Sequence, residues 1–199
     1  MLHPPAPHAT ALALLFDLPE SKERAARALD YVIAHIGDTR AFAPVCMELY
    51  YMYFALTMLL EKGRADVAER TMRECWGHMK HSGAWTLWET LDRGQRGVGS
   101  QCHGWSSAPT ALLMEHTLGV RPAAGKPNEL LFAPHSATVT WARGTYPHVR
   151  GPVDVEWSLE AGVLRAKLSL PRGVRVTVNP TAPIGQQRVA VAAEVQRRT

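Results

Sequence analysis

The sequence predicts an α+β chain: a partial α/α toroid, or ring of helix pairs, over residues 1–122, then a small antiparallel β-sandwich over 123–199. Three observations predict it. The first 80 residues alternate between helical segments that are apolar on nearly every side and helical segments with one wet face. From about residue 123 the hydrophobic period changes to two, and short β-rich runs follow one another without a helix between them. The composition also allows a packed core, with 46% hydrophobic and 20% charged residues in a chain of 199.

Residues 9–16 are apolar all round and predict a short buried helix. Residues 20–36 follow Pro19, a favoured first helical residue, with Glu20 and Glu23 set against the positive end of the helix dipole. Their stripe of Ala25, Leu29, Val32, Ile33 and Ile36 predicts one buried face. Residues 44–60 are again apolar on almost every side, with Glu48 their one charge. Residues 64–80 return to an amphipathic pattern in Ala65, Ala68, Met72, Cys75, Trp76 and Met79. The order buried, half-wet, buried, half-wet suits two concentric rings of helices, because an inner helix touches protein on all sides. A plain bundle of four would make every helix amphipathic instead.

A Gly- and Trp-rich stretch without a period fills 81–103, and residues 105–118 predict one further helix ended by Gly119. Loops of that length in compact domains tend to be functional or disordered. Beyond it, strands are predicted at 130–132, 137–141, 153–157, 163–170, 174–178 and 189–191, with turn signals at Ala161-Gly162 and Pro171-Arg172-Gly173.

Several function classes are disfavoured. The net charge of +4 and pI near 9.1 are modest, and Arg197-Arg198 is the one local basic cluster, so no nucleic-acid partner is expected. No apolar run approaches the roughly 18 residues of a membrane span, so no membrane partner is expected either. Cys46, Cys75 and Cys102 are odd in number and widely spaced, which suits a reducing compartment. Residues 9–16 lack the basic flank and cleavage site of a secretion signal, and a cytoplasmic location follows as the expectation.

The segment 82–90, with Trp85, Trp88 and Glu89, carries the richest chemistry. Aromatic faces stack on the apolar faces of pyranose rings, and an apolar wall beside a carboxyl group tunes it for acid or base work. The plainer reading is a Trp-rich packing loop in which Glu89 caps a helix. Fourteen residues on, Ser100-Gln101-Cys102-His103-Gly104-Trp105-Ser106 places a histidine among small residues, either aimed into a cavity or bonded to backbone.

Gly83, Ala84, Thr86, Trp88 and Glu89, then Ser100, His103, Gly104, Leu118, Gly119 and Val120, together resemble the C-terminal part of the bacterial α-L-rhamnosidases. Residues 131–134, 141–144 and 151–157 are similar to the β domain that closes those enzymes. The resemblance implies a six-hairpin toroid that hydrolyses terminal α-L-rhamnosides with inversion, with no cofactor and no catalytic metal. It places Glu89 as the general base, Trp88 and His103 as substrate contacts, and Trp85 as a weaker one. The ligand implied is a rhamnose-containing glycoside or oligosaccharide. The family's general acid lies in the first half of the ring, and five predicted helices fall short of the twelve that six hairpins need. The expectation is therefore a fragment, inactive alone, that associates with a missing N-terminal half or with itself through Tyr50, Tyr53, Phe54 and Met58. A non-catalytic carbohydrate-binding or structural subunit is the alternative, as is another toroidal enzyme, a lyase or phosphorylase.

Other signals are weaker. Cys75, His78 and His81, with Cys102-His103, have spacing that zinc could use, but no paired-ligand motif accompanies them. Gly94–Gly99 follows no strand and lacks a Lys-Ser/Thr ending, so it is not a phosphate loop. No G-x-S-x-G frames Ser106 or Ser107. Glu48 is either a supporting carboxylate of the site or a water-facing residue at a helix start.

Overall fold

A computed structural model describes residues 7–36, 48–91 and 99–198, and the chain divides into two compact units, up to Pro109 and from Thr110. The first is helical and the second is mostly strand, an α+β arrangement.

The helical unit contains α1 (Pro7–Leu15), α2 (Lys22–Ile36), α3 (Met52–Glu61) and α4 (Ala65–His81). Ser21, not Pro19, opens α2, because its Oγ accepts the Arg24 N–H at 3.2 Å in the N-cap manner. Of α2 only Val32 and Ile36 are fully buried, in keeping with its charged sequence. α3 buries Met52, Ala55, Leu56, Met58, Leu59 and Leu60, but not its whole circumference as the apolar run predicts: Tyr53 and Thr57 are half-buried and Phe54 and Glu61 are exposed on the remaining side. The first residues of that predicted helix, 44–47, and Gly37, Cys46 and residues 94–98 lie outside the described residues. Glu48 is exposed, and its carbonyl receives the Tyr51 and Met52 N–H groups that begin the turn into α3. α4 buries more than its stripe: Glu69 and Thr71 are also enclosed.

The predicted helix at 105–118 is broken into three. A 3-10 turn (Gly104–Ser106) precedes α5 (Ala108–Leu112), which passes into a π turn (Leu113–Thr117). The π turn is closed by Leu118 N–H to Leu113 O at 2.7 Å and Gly119 N–H to Met114 O at 3.1 Å, each spanning five residues.

The second unit has eight strands: β1 (Val120–Ala123), β2 (Lys126–Phe132), β3 (Trp141–Tyr146), β4 (Val153–Glu160), β5 (Val163–Leu170), β6 (Arg175–Val178), β7 (Thr181–Ile184) and β8 (Gln187–Arg197). They form a three-stranded sheet, β1-β2-β6, and a five-stranded sheet, β3-β4-β5-β8-β7. One core joins them, with Val120, Leu130 and Phe132 from the smaller sheet and Val155, Trp157, Leu164 and Leu168 from the larger. The indole N–H of Trp157 is satisfied by Thr117 O at 3.1 Å, which lets so large a side chain be 1% exposed.

The expectation of purely antiparallel pairing needs correction. β2 pairs with β6 and β5 with β8 in parallel. A parallel pair needs a crossover, and a helix is not the only element that can make one. After β5 the chain leaves the larger sheet, contributes β6 to the smaller one and returns as β7 and β8. The switch falls at Asn179-Pro180, where proline offers no N–H and the ladder stops. Residues 137–140 are also not strand: Ser136 Oγ accepts the N–H groups of Thr138 (3.2 Å) and Val139 (3.0 Å), bending the chain before β3 begins.

Candidate active-site loop

Two backbone segments that are separate in the sequence are laced together just beyond α4. The Glu89 N–H donates to Ser100 O and the His103 N–H to Leu87 O, each at 2.8 Å. The Thr86 hydroxyl donates to Gln101 O. Ser100 N–H donates back to the Glu89 carboxylate, 2.6 Å from Oε2. Ser100 Oγ accepts the Cys102 N–H at 3.0 Å, tightening the second segment into a turn. Gly99 makes the approach possible: its φ is +107°, and a Cβ there would meet Thr90 Oγ1 at 2.9 Å.

The lacing brings Glu89 and His103 to one place. His103 Nδ1 lies 3.8 Å from Glu89 Oε2, with side chains 22% and 41% exposed, so both reach solvent. Oε1 of Glu89 has no hydrogen-bond partner among the described residues. A carboxylate with one oxygen fixed by a backbone N–H and the other open to water can orient and deprotonate a water molecule.

The two tryptophans diverge. Trp85 is 99% exposed, with its ring open to solvent. Trp88, expected as a substrate contact, is 2% exposed, and its ring meets His78 edge-on with centroids 6.2 Å apart. His78 is itself held by Leu91 O at 3.2 Å. The enclosed Trp88 therefore sits next to Glu89 as packing under the loop. Trp105, which sequence reasoning did not single out, is 75% exposed and lies between His103 (5.9 Å) and Tyr50 (6.1 Å) by ring centroids. Its place in the S-x-x-H-G-W segment was the available signal.

The zinc-like spacing separates in three dimensions. Cys75 is buried, His78 is bonded to Leu91 O and His81 to Gly77 O, and no metal-holding group of three exists among the described residues. No helix among the described residues is long and apolar enough to cross a membrane.

Comparison with known proteins first gives the class. The fold matches solved rhamnosidases: a GH78 family rhamnosidase of Bacillus sp. GL1 at 25% identity and TM-score 0.76, covering 96% of this chain and 20% of that one. The Streptomyces avermitilis α-L-rhamnosidase complexed with L-rhamnose shares the fold at 22% identity and TM-score 0.69, covering 89% of this chain and 18% of that one. In sequence, a Streptomyces avermitilis α-L-rhamnosidase is 26% identical over 128 residues, 58% of this chain and 12% of its own length. Residues 3–117 match the bacterial alpha-L-rhamnosidase 6 hairpin glycosidase domain and residues 119–191 the bacterial alpha-L-rhamnosidase C-terminal domain. The chain belongs to the bacterial α-L-rhamnosidase family. It spans about an eighth of the curated relative and about a fifth of the solved structures it matches.

Proposed function

We propose that this chain forms the water-activating side of an inverting α-L-rhamnosidase, with Glu89 as the general base. The observation that carries the reading is the Glu89 carboxylate, held by Ser100 N–H at 2.6 Å, faced by His103 and without a partner at its second oxygen among the described residues. In inversion the base draws a proton from water on one side of the sugar while an acid protonates the leaving oxygen on the other, the two carboxyl groups standing about 6.5–9.5 Å apart. The acid comes from a ring portion outside this chain, so the chain alone does not hydrolyse a rhamnoside. His103 and Trp85 are proposed to contact a rhamnose-containing glycoside or oligosaccharide, and Trp88 to act through its packing beneath the loop. The helical unit is read as one sector of a six-hairpin toroid and the strand unit as a β-sandwich. The six buried residues of α3 and the core shared by the two sheets support these readings. Neither step asks for a metal or cofactor. Tyr50 and Phe54, 39% and 38% exposed on α3 and the turn before it, are proposed to meet the rest of the ring or a second copy.

The test is a chimera in which this chain replaces the matching fifth of the Bacillus sp. GL1 enzyme, assayed on an aryl α-L-rhamnoside with the first anomer released followed by NMR. The expected result is hydrolysis with inversion, lowered about a thousandfold by Glu89→Gln at unchanged melting temperature. A folded chimera whose rate is indifferent to Glu89→Gln refutes the assignment. An unsaturated product or a need for phosphate would place the chain with the lyases or phosphorylases.

A further inference from the structure

The outward side of the five-stranded sheet carries two depressions, about 660 and 310 Å³, that meet at Glu156 and Lys167. Their central row follows from strand register. Arg143 on β3 is opposite Glu156 on β4, Glu156 opposite Lys167 on β5, and Lys167 opposite Glu194 on β8. Charge alternates along the row and sums to zero. Although neighbours across strands stand close enough to pair, no ion pair joins Arg143, Glu156 or Lys167 to another residue among those described. The next row differs: Ser158 Oγ donates to Glu160 Oε1 at 2.7 Å, and Arg165 Nε lies 3.2 Å from Glu160 Oε2. Its last position, Ala192 opposite Arg165, is small and leaves the groove open.

Trp141 stands at the other end of that second row, opposite Ser158 on the edge strand β3, and is 67% exposed. It is the one large exposed hydrophobic residue on this face among those described. Val195 is on β8 too, but it is opposite Leu168, a core residue, and so belongs to the other face. A protein partner would find no apolar centre here. A charged ligand would meet both signs equally. Alternating donors and acceptors beside one aromatic platform suit a ligand that is uncharged, rich in hydroxyls and flat on one side.

We propose that this face is a glycan-binding surface on which an uncharged oligosaccharide lies across β3, β4, β5 and β8, one ring stacked on Trp141 and its hydroxyls bonded to Arg143, Glu156 and Lys167. The groove is contained in the strand unit, and the inference goes beyond the catalytic reading and does not depend on it. Its role is to hold a polymer, not to cleave it.

Native affinity electrophoresis of the full chain tests it, in gels containing galactomannan, xyloglucan or, separately, polygalacturonate. The expected result is retardation by a neutral polysaccharide, weakened about tenfold by Trp141→Ala. Arg143→Ala combined with Lys167→Ala should weaken it as well, while Val149→Ala, in an exposed loop outside the groove, leaves it unchanged. Circular dichroism melts establish that each variant is folded. No retardation by either neutral polymer overturns the proposal, as does retardation by polygalacturonate alone. Retardation that survives Trp141→Ala and is lost in Trp85→Ala also overturns it, by moving binding to the helical unit.

Discussion

Glu89 and Ser100 bond to each other twice: the Glu89 N–H reaches Ser100 O at 2.8 Å, and the Ser100 N–H reaches the Glu89 carboxylate at 2.6 Å. The residue proposed to do the chemistry is thus also a clasp between the two halves of its own loop.

The clasp separates stability from catalysis. Glu89→Gln keeps an oxygen for Ser100 N–H and should change unfolding free energy by less than about 0.5 kcal/mol. Glu89→Ala loses the bond and should cost about 1 kcal/mol, the loss being limited because the side chain is 41% exposed. Urea titration followed by tryptophan fluorescence distinguishes them. Equal losses would mean that the bond contributes nothing.

Gly119→Ala should be far more damaging than an ordinary glycine replacement. Its φ is +85°, and a Cβ would lie 2.5 Å from Pro134 Cα and N, which are backbone atoms that cannot rotate away. Gly119 O also accepts the Ala133 N–H at 2.8 Å, so any shift breaks that bond too. A loss on the order of 3 kcal/mol is expected, read as a lower urea midpoint or a failure to express in soluble form. Gly125→Ala, with nothing within 4 Å of its Cβ but a φ of +69°, should cost only about 1 kcal/mol.

Ser136→Ala removes the acceptor for two N–H groups at a residue with no exposed surface. The Thr138 and Val139 amides would then lose their side-chain partner, at a cost of about 1–3 kcal/mol. Amide hydrogen exchange at those two positions should accelerate before the rest of the strand unit responds. Unchanged exchange would show that the bend holds without the hydroxyl.

The strand unit should weaken in acid through His116. Burial, then the charges of Arg121 and His135, push this imidazole down from 6.5 to about 4. Between those values the unfolded chain takes up a proton that the folded chain does not. Stability is therefore untouched by this group above pH 6.5 and declines as pH falls toward 4, by up to about 3 kcal/mol. Glu115, whose carboxyl burial pushes up, acts in the opposite sense. The contribution of His116 is isolated by comparing urea midpoints of the parent and His116→Gln at pH 7 and pH 4.5. A gap that does not narrow in acid contradicts the assignment.

The sequence revealed those parts of the structure in which one periodicity dominates. Met52 to Leu60 is apolar but for Thr57 and becomes a largely buried helix; Val163 to Leu170 alternates and becomes a strand. The two strands that escaped notice, β1 and β7, are four residues long, lie at sheet edges and contain Pro122 and Pro183, residues that read as breakers. The π turn at 113–117 was invisible because its composition is that of a helix and only its bonding differs. At the loop, Glu89 and His103 were legible as residue types, and their approach to 3.8 Å depends on Gly99 and on backbone bonds that no periodicity records. Trp88 and Trp85 look alike in sequence, yet one is enclosed and the other open, because only the fold decides which ring the loop covers.

The passage of the chain from the larger sheet to the smaller and back has a consequence for recombination. β6 belongs to one sheet while the strands on both sides of it in sequence belong to the other, and β2 waits for β6 across the whole of β3, β4 and β5. No single cut between Val120 and Arg197 leaves both sheets whole. The eight strands are thus inherited, swapped or grafted as one block, and a viable joint between relatives must fall outside it.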